Sequence, residues 1–190
     1  MRIVGGSVRG TALATPKTTA TRPTPDRVRQ AVFNILGHGV AGFSFEGARV
    51  LDLFAGTGAL GLEALSRGCP FAVFIDEDAA ARALIRANIE RTHMVGRTRI
   101  SRRDGANLGP VGKSAPFDLA FADPPYGQGL GMAAAASALK GGWLNRGAVF
   151  VVEDARGADF IWPEEIKAID EREYGGTAIH IGRVVKTTPS

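Results

Sequence analysis

Residues 50–61 read VLDLFAGTGALG and decide the fold of this chain. The apolar run at the start of this stretch predicts a buried strand, and the glycines that follow predict a sharp turn into a helix. The glycines recur as G-x-G-x-x-G, a spacing typical of a strand–turn–helix unit whose backbone passes close to a ligand. This stretch therefore predicts a sheet covered by helices, with a ligand site at the glycine turn.

From residue 48 onward, strand and helix patterns alternate along the chain. Such alternation predicts an α/β fold of the Rossmann-like type, in which helices cover both faces of a mostly parallel sheet. Apolar runs predict strands near 48–53, 71–75, 97–102, 117–122 and 147–153, and helical spacing predicts helices near 59–67, 78–91 and 130–140.

The C-terminal region has a different pattern. Two strand-like runs, Lys167 to Tyr174 and Thr177 to Val185, flank the turn Gly175-Gly176. This arrangement predicts an antiparallel β-hairpin. A mostly parallel sheet that ends in such a hairpin fits the seven-stranded methyltransferase variant of the doubly wound fold.

Two cofactors compete for the glycine turn. A dinucleotide would place its pyrophosphate at the helix N-terminus, and an acid about 20 residues further on, such as Asp76, would hold a ribose. S-adenosylmethionine would use the same acid for its ribose hydroxyls. Asp52, inside the strand, favours S-adenosylmethionine, because a buried carboxylate suits an ammonium or sulfonium group and is unfavourable beside a pyrophosphate.

Aspartates stand at or close to the carboxyl ends of four predicted strands. Ligands of open α/β sheets bind at this edge, near the point where the strand order reverses. The third of these acids, Asp104, is predicted to contact the adenine amino group of the cofactor. A single composite site is therefore expected, lined by Asp52, Asp76, Asp104 and Asp123.

A second motif, Asp123-Pro124-Pro125-Tyr126, follows the apolar run 117–122. Each proline fixes its own φ at about −65° and pushes the preceding residue into an extended conformation. The Asp123 carboxylate and a nearby main-chain carbonyl can accept N–H bonds from a base, while Tyr126 stacks on it. The motif predicts a catalytic site for a base with an exocyclic amine; a surface turn with a buried tyrosine is the alternative.

The first part of the chain is basic. The sequence has 23 bases and 19 acids, of which residues 1–30 hold six bases and one acid, so the whole excess of positive charge falls there. A basic arm on a nearly neutral body is typical of nucleic-acid-binding proteins, and a solvated basic face is the alternative. The arginines expected to contact the nucleic acid are Arg9, Arg22, Arg27 and Arg29.

The chain is predicted to be a single domain over residues 1–190. Residues 1–24 form its basic extension, a short hairpin or extended arm, and residues 25–190 form its catalytic core. Between them, Thr24 and Pro25 predict the start of a helix that ends at Gly37. The N-terminus lacks the apolar region of a secretory signal, and the single cysteine, Cys69, excludes an internal disulfide, which together predict a cytoplasmic protein.

Composition narrows the class of protein further. Hydrophobic residues make up 45% of the chain and charged residues 22%, as in ordinary globular domains. No uncharged apolar segment reaches the roughly 18–20 residues that span a bilayer, so no membrane association is expected. The three histidines are far apart in sequence and outside any Cys/His cluster, so no metal is expected.

The chain resembles the bacterial 16S ribosomal RNA guanine-N2 methyltransferases of the RsmD type. The resemblance covers nearly the whole chain, with the motifs in the same order. The glycine turn and the tetrapeptide alone would indicate only an amino-group methyltransferase, and the arginine-rich N-terminal signature narrows the substrate. The matching stretches are Arg2 to Gly6 with Arg9-Gly10, Thr21 to Thr24, Asp26 to Arg29, Phe33-Asn34, residues 51–68, Asn88-Ile89, Asp123 to Tyr126 and Tyr174-Gly175.

This resemblance implies a class I fold, S-adenosylmethionine as the donor and the N2 amine of a guanine in 16S ribosomal RNA as the acceptor. The substrate would be that RNA, the small ribosomal subunit or an assembly intermediate, and the enzyme a monomer. Asp76 would hold the ribose, although the family commonly has a glutamate there, and Asp104 would hold the adenine. The remaining cofactor contacts would come from Asp52, Phe54, Ala55, Gly56, Thr57 and Gly58.

Three other functions compete with this one. A DNA adenine-N6 methyltransferase shares the glycine turn and a related tetrapeptide, but the chain is short for it and shows no separate target-recognition domain. A nicotinamide-dependent dehydrogenase would use the same turn for a different cofactor. A non-catalytic RNA-binding or assembly module would keep the fold without the chemistry, which the four strand-end acids argue against.

Overall fold

The computed structural model describes residues 1–16 and 26–187. Its four α-helices are α1 (Asp26–His38), α2 (Ala59–Ser66), α3 (Ala79–Arg91) and α4 (Leu130–Lys140), and a 3-10 turn covers Val95–Arg97. Its strands are β1 (Arg49–Leu53), β2 (Phe71–Ile75), β3 (Thr98–Ser101), β4 (Phe117–Ala122), β5 (Leu144–Ala155), β6 (Ile166–Tyr174) and β7 (Thr177–Val184).

The seven strands form one sheet in the order β3-β2-β1-β4-β5-β7-β6. The first five of these are mutually parallel, and β7 pairs antiparallel with both β5 and β6. This is the sheet of class I S-adenosylmethionine-dependent methyltransferases, and it confirms the predicted α/β fold with its antiparallel C-terminal hairpin.

The strand order reverses between β1 and β4, which are neighbours in the sheet although two helices and two strands separate them in the chain. Leu53 and Ala122 are paired at the ends of these two strands. The glycine turn that follows β1 and the tetrapeptide that follows β4 therefore leave the sheet side by side. Such a reversal opens a crevice for ligands at the carboxyl edge of the sheet.

Apolar side chains cover both faces of the sheet, as the near-continuous hydrophobic strands require. One face packs against α1 and α2 through residues such as Phe33, Leu62 and Phe74, all fully buried. The other packs against α4 through Ala134, Ala138 and Phe150. Because each buried large side chain contributes about 1.5–3 kcal/mol, these two layers hold the carboxyl ends of the strands in fixed positions.

The N-terminal segment is part of this core. Residues 1–16 form a short antiparallel pairing in which Ile3 N–H donates to the Thr11 carbonyl at 3.0 Å and Gly10 N–H donates to the Ile3 carbonyl at 2.8 Å. Ile3 and Leu13 are buried against the face that carries α1 and α2. The predicted helix start at Thr24 and Pro25 lies outside the described residues, and α1 ends at His38, one residue beyond the predicted Gly37.

The strand that departs most from its prediction is β5, which ends at Ala155, two residues beyond the predicted 153. β5 begins at Leu144, three residues before the predicted start at 147. Asn145, Arg146 and Gly147 resemble a turn in sequence, yet they continue the strand, because the pairing of β4 with β5 shifts register between Phe117 and Leu119 and absorbs the irregularity.

Candidate active site

The glycine turn has an unusual backbone. Phe54 has a φ of 54° although it is not a glycine, and Gly56 and Gly58 have φ values of 55° and 76°. A bulky residue with positive φ is an outlier that the surrounding structure must hold in place, and such residues cluster at ligand sites. A Cβ at Gly56 would meet open space apart from the Phe54 carbonyl at 3.8 Å, so a ligand can approach the backbone here.

Asp52 lies beneath the turn and is buried, with 1% of its surface exposed. Its Oδ2 accepts the Gly61 N–H at 2.9 Å, from the first turn of α2. Burial raises the pKa of Asp52 to about 8, the Gly61 hydrogen bond opposes that rise, and repulsion from Asp76 adds to it. At neutral pH this carboxyl is therefore mostly protonated, and a nearby cation would favour its ionised form.

Asp76 follows β2 and contacts the same turn. Its Oδ2 accepts the Gly56 N–H at 2.9 Å, and its Oδ1 accepts the Asp78 N–H at 2.9 Å. The Ala55 N–H donates to the Ile75 carbonyl at 3.1 Å, which fixes the turn against the end of β2. The carboxylate proposed for the ribose is thus held at the glycine turn by main-chain donors.

Asn88, on α3, joins the glycine turn to the N-terminal segment. Its Nδ2 donates to the Thr57 carbonyl at 2.9 Å and to the Ala14 carbonyl at 3.1 Å, and its Oδ1 accepts the Ala14 N–H at 2.7 Å. The side chain is fully buried, so removing it would leave several main-chain groups without partners. The sequence analysis named Asn88 only as part of the family resemblance and gave it no role. The feature that could have indicated its role is an asparagine on the apolar face of a predicted helix.

Asp104 lies in a tight turn after β3. Its Oδ1 accepts the Ala106 N–H at 2.8 Å, and a bridge pairs it with Asn107. The adjacent Gly105 lies against the Phe54 ring, so closely that a Cβ there would come within 2.8 Å of the ring. The segment with Asp104 therefore borders the glycine turn, as its predicted role requires.

The tetrapeptide begins where β4 leaves the sheet. The Asp123 N–H lies 3.5 Å from the Leu53 carbonyl, at the last residue of β1. Pro124 is buried, Pro125 is exposed, and Tyr126 has 45% of its surface exposed. The motif thus turns from the core to the surface beside the glycine turn.

Tyr126 is held by two side chains that its sequence neighbourhood does not contain. Its hydroxyl donates to Glu153 Oε1 at 2.8 Å and lies 3.0 Å from Thr177 Oγ1. Glu153 is buried on β5, and Thr177 begins β7. Partial burial, with the Glu153 carboxylate alongside, raises the pKa of Tyr126 far above its usual range, so the phenol remains protonated and cannot act as a base near neutral pH.

The four arginines predicted to contact RNA do not share one environment. Arg9 and Arg27 are exposed, and Arg22 lies outside the described residues. Arg29 is fully buried: one terminal nitrogen of its guanidinium donates to the Arg2 carbonyl and to Asp26 Oδ1, the latter at 2.9 Å. A side chain enclosed in this way cannot reach a phosphate, so the prediction for Arg29 is wrong.

Arg29 instead belongs to a buried ionic cluster that the sequence did not reveal. Its Nε lies 3.9 Å from Glu63 Oε2, and Arg67 donates to Glu63 Oε1 at 2.8 Å. Glu63 Oε2 also accepts the Val4 N–H at 2.8 Å. This cluster attaches the N-terminal segment to α1 and α2, and breaking a buried pair of this kind costs about 3–5 kcal/mol.

Other parts of the described structure do not add to this site. Within residues 1–16 and 26–187, no group of three His, Cys, Asp or Glu side chains is placed to hold a metal ion. A shallow cavity of about 370 Å³ lies beside β6 and β7, lined by residues that include Phe160, Trp162 and His180. None of the residues predicted for the site lines that cavity. Among the helices described here, none has the length and apolar character that crossing a membrane requires.

Comparison with known proteins identifies relatives along nearly the full chain. The family model described as conserved hypothetical protein 95 matches residues 1–183. The ribosomal RNA small subunit methyltransferase D of Escherichia coli (strain K12) is 37% identical over 153 residues, which are 80% of this chain and 74% of that protein. The protein of the same name from Haemophilus influenzae is 28% identical over 177 residues, 92% of this chain and 89% of the relative.

Solved structures show the same fold. The Escherichia coli protein yhhF superimposes with a TM-score of 0.81 at 32% identity, covering 97% of this chain and 98% of that one. An RNA methyltransferase from Salinibacter ruber, solved in complex with S-adenosyl-L-homocysteine, has a TM-score of 0.61 at 14% identity over 88% of this chain and 97% of its own. The second likeness is one of fold alone.

Proposed function

The chain belongs to the family of RsmD-type ribosomal RNA methyltransferases, and from this premise we propose that it transfers a methyl group from S-adenosylmethionine to the N2 amine of a guanine in 16S ribosomal RNA. One observation carries the proposal. The glycine turn and Asp123-Pro124-Pro125-Tyr126 leave adjacent strands at the paired residues Leu53 and Ala122. Since neighbouring strands lie about 4.8 Å apart, a donor at the turn and a base at the tetrapeptide would be close neighbours.

The residues at the glycine turn fit S-adenosylmethionine. Burial raises the pKa of Asp52 to about 8, and the methionine end of the cofactor carries an ammonium and a sulfonium, whose positive charge would favour the ionised form of this carboxyl. The backbone at Gly56 is open to a ligand, and Asp76 stands beside it for the ribose hydroxyls. Phe54, Ala55, Thr57 and Gly58 complete this half of the site, and Asp104 would accept the adenine amino group.

The methyl group of a bound sulfonium is electrophilic, and the task of the protein is to present a weak nucleophile to it. The lone pair of a guanine amine is delocalised into the ring. Hydrogen bonds from its N–H groups to the Asp123 carboxylate and the Pro124 carbonyl would orient that lone pair. As positive charge develops on the nitrogen, these acceptors bind more strongly, which stabilises the transition state.

The proton leaves late in this scheme. The amine becomes acidic only after it has formed its new bond to carbon, and the Asp123 carboxylate is then positioned to take the proton. Tyr126 would stack on the base, a contact worth about 1–3 kcal/mol. Its protonated hydroxyl, bound to Glu153 and Thr177, holds the ring and does not take part in proton transfer.

Mapping of methylated nucleotides in small-subunit RNA tests the proposal. RNA from cells with and without this protein is digested and analysed by mass spectrometry. We expect one guanine to lose its N2-methyl mark when the protein is absent and to regain it on complementation. Purified protein acting on naked 16S RNA, assembly intermediates and complete subunits then identifies the substrate. An unchanged guanine pattern, or a missing adenine-N6 mark instead, would overturn the proposed reaction.

A further inference from the structure

A second basic surface lies far from the N-terminal segment in sequence. Between residues 82 and 103 the chain has seven arginines and a single acid, Glu90. The net charge of the sequence did not reveal this surface. Acids elsewhere in the chain offset these arginines, so all the excess positive charge fell in the first thirty residues. The structure places these arginines on α3, on the 3-10 turn, on β3 and on the two residues that follow β3.

Five of the seven side chains are exposed. Arg82 and Arg103 are partly buried and donate to main-chain carbonyls, Arg82 to those of Asp76 and Glu77, and Arg103 to those of Leu108 and Pro110. Within the described residues, the ion pairs of this structure involve none of the exposed five. We name these five the β3-edge arginines: Arg86, Arg91, Arg97, Arg99 and Arg102.

The β3-edge arginines form a strip rather than a point. β3 is the last strand on its side of the sheet. Arg102 follows its carboxyl end, on the side of the active site, and Arg97 precedes its other end. At about 3.3 Å per residue, the five residue steps between these positions span at most about 16 Å. The strip therefore runs along the sheet edge for a length that several consecutive phosphates occupy.

The strip is also within reach of a substrate bound at the tetrapeptide. β3 and β4 are separated by β2 and β1, which makes three interstrand spacings, or about 14 Å. An RNA whose target base lies at Asp123 can extend over the ends of β1 and β2 to this edge. The opposite edge of the sheet, β6, has no comparable surplus of positive charge, because its acids Asp170, Glu171 and Glu173 lie beside Arg172, His180 and Arg156.

We propose that the β3-edge arginines bind the phosphates of the RNA that flanks the target base; the inference rests on the function proposed above. All five are arginines, whose planar guanidinium groups bind phosphate oxygens in a bidentate manner. Because phosphate contacts fix register and orientation without reading sequence, the strip would orient the RNA while the tetrapeptide selects the base.

The test compares two variants with the same change in net charge. In the strip variant, all five β3-edge arginines are replaced by glutamine. In the control variant, five exposed bases elsewhere are replaced by glutamine: Lys113, Lys140, Arg146, Lys167 and Lys186. RNA affinity is measured by fluorescence anisotropy over a series of salt concentrations, and cofactor affinity by calorimetry establishes that both variants are folded.

We expect the strip variant to lose about 3.5–4.5 from the slope of log affinity against log salt, since each of its five phosphate contacts contributes roughly 0.7–0.9. The control variant should keep a slope close to that of the unmodified protein. Equal slopes in the two variants would overturn the proposal. A strip variant that binds RNA normally but binds intact subunits weakly would also overturn it, because that result would indicate a protein partner for the strip.

A methyl-transfer assay and a second pair of variants distinguish a failure of this inference from a failure of the proposed reaction. Methyl transfer by the unmodified protein to small-subunit RNA tests the reaction alone, and its failure would leave the comparison of salt slopes unaffected. If the fivefold strip variant does not fold, Arg97→Gln with Arg99→Gln is compared with Lys113→Gln with Lys140→Gln. The first pair should lose about 1.4–1.8 from the slope and the second close to none.

Discussion

The two halves of the proposed active site are held in different ways. In the cofactor half, carboxyl oxygens of Asp52 and Asp76 accept main-chain N–H groups from the segment that follows β1, at Gly61 and Gly56 respectively. In the target half, the hydroxyl of Tyr126 contacts the side chains of Glu153 and Thr177, which come from β5 and β7. The first half is assembled by backbone bonds around one turn, and the second by side chains from distant parts of the chain.

This difference indicates how each half works. Main-chain donors around a buried acid provide a fixed cradle, which suits a cofactor that is the same in every cycle. A ring at the surface, held by two hydroxyl hydrogen bonds, can adjust to a base presented by a large RNA. Substitutions in the cofactor half should therefore change cofactor affinity, and those in the target half should change turnover with the cofactor still bound.

The largest effect is expected for Asp123→Ala. The loss of an acceptor that binds more strongly in the transition state should lower turnover by about 10²–10³-fold. Cofactor affinity, measured by calorimetry, should stay within about twofold of the original value, because Asp123 lies in the target half. Single-turnover methyl transfer to small-subunit RNA provides the rate.

Asp123→Asn is the matched control for this substitution. The amide keeps the shape of the side chain and one acceptor oxygen, but it cannot take the proton, so its turnover should fall between those of the alanine variant and the unmodified enzyme. Turnover of Asp123→Ala within tenfold of the original would show that the carboxylate is not the acceptor. A loss of cofactor binding in both variants would contradict the assignment of Asp123 to a target half that is separate from the cofactor half.

The same division explains what the sequence could predict. The strand before the glycine turn, the turn itself and the strand that precedes Asp76 each depend on local patterns, and the structure places all three as expected. The antiparallel hairpin also follows from a local signal, the Gly175-Gly176 turn. Periodicity and turn chemistry act over a few residues, and they are sufficient for these elements.

Contacts between distant residues were beyond such patterns. Arg29 looked like part of a basic arm, because its partners Glu63 and the Arg2 carbonyl are remote in sequence and its burial depends on both. The Tyr126 contacts with Glu153 and Thr177 span 27 and 51 residues. The β3-edge arginines are spread over a helix, a turn, a strand and the residue that follows it. Arg99 is paired with Val73 on the face opposite the one that α3 covers, so what these residues share is their place along the β3 edge of the sheet.

Asp52 offers the next largest effect, through pH. In the protein without ligand its pKa is about 8, so below that pH the carboxyl holds a proton that a nearby ammonium or sulfonium would displace. Cofactor affinity should therefore rise with pH, by up to about tenfold per unit, and level off above about pH 8. Asp52→Asn has no such proton to release, so its affinity should be lower at pH 8 and nearly independent of pH.

Calorimetry in two buffers of different ionisation enthalpy measures the proton released when the cofactor binds.

Folding stability gives a second measurement of the same pKa. Because the folded state holds the proton up to about pH 8 and the unfolded state only up to about pH 4, the contribution of Asp52 to the free energy of unfolding falls as pH rises between these values. Asp52→Asn should remove that decline. Cofactor affinity that is flat from pH 6 to 8 in the unmodified protein would refute the placement of Asp52 near a cationic group.

The smallest effect is expected for Tyr126→Phe, and it separates the ring from its hydroxyl. Phenylalanine can still stack on the base but loses the hydrogen bonds to Glu153 and Thr177, which at about 1 kcal/mol should reduce turnover about fivefold. Tyr126→Ala, which also loses the stacking contact of about 1–3 kcal/mol, should be clearly slower. Because burial keeps the phenol protonated, the rate profiles of the phenylalanine variant and the unmodified enzyme should be parallel between pH 7 and 9. If turnover of the unmodified enzyme changes with pH at high pH and this change is absent in the phenylalanine variant, the hydroxyl titrates during the reaction. Tyr126 would then take part in the chemistry and would not serve only to support the base.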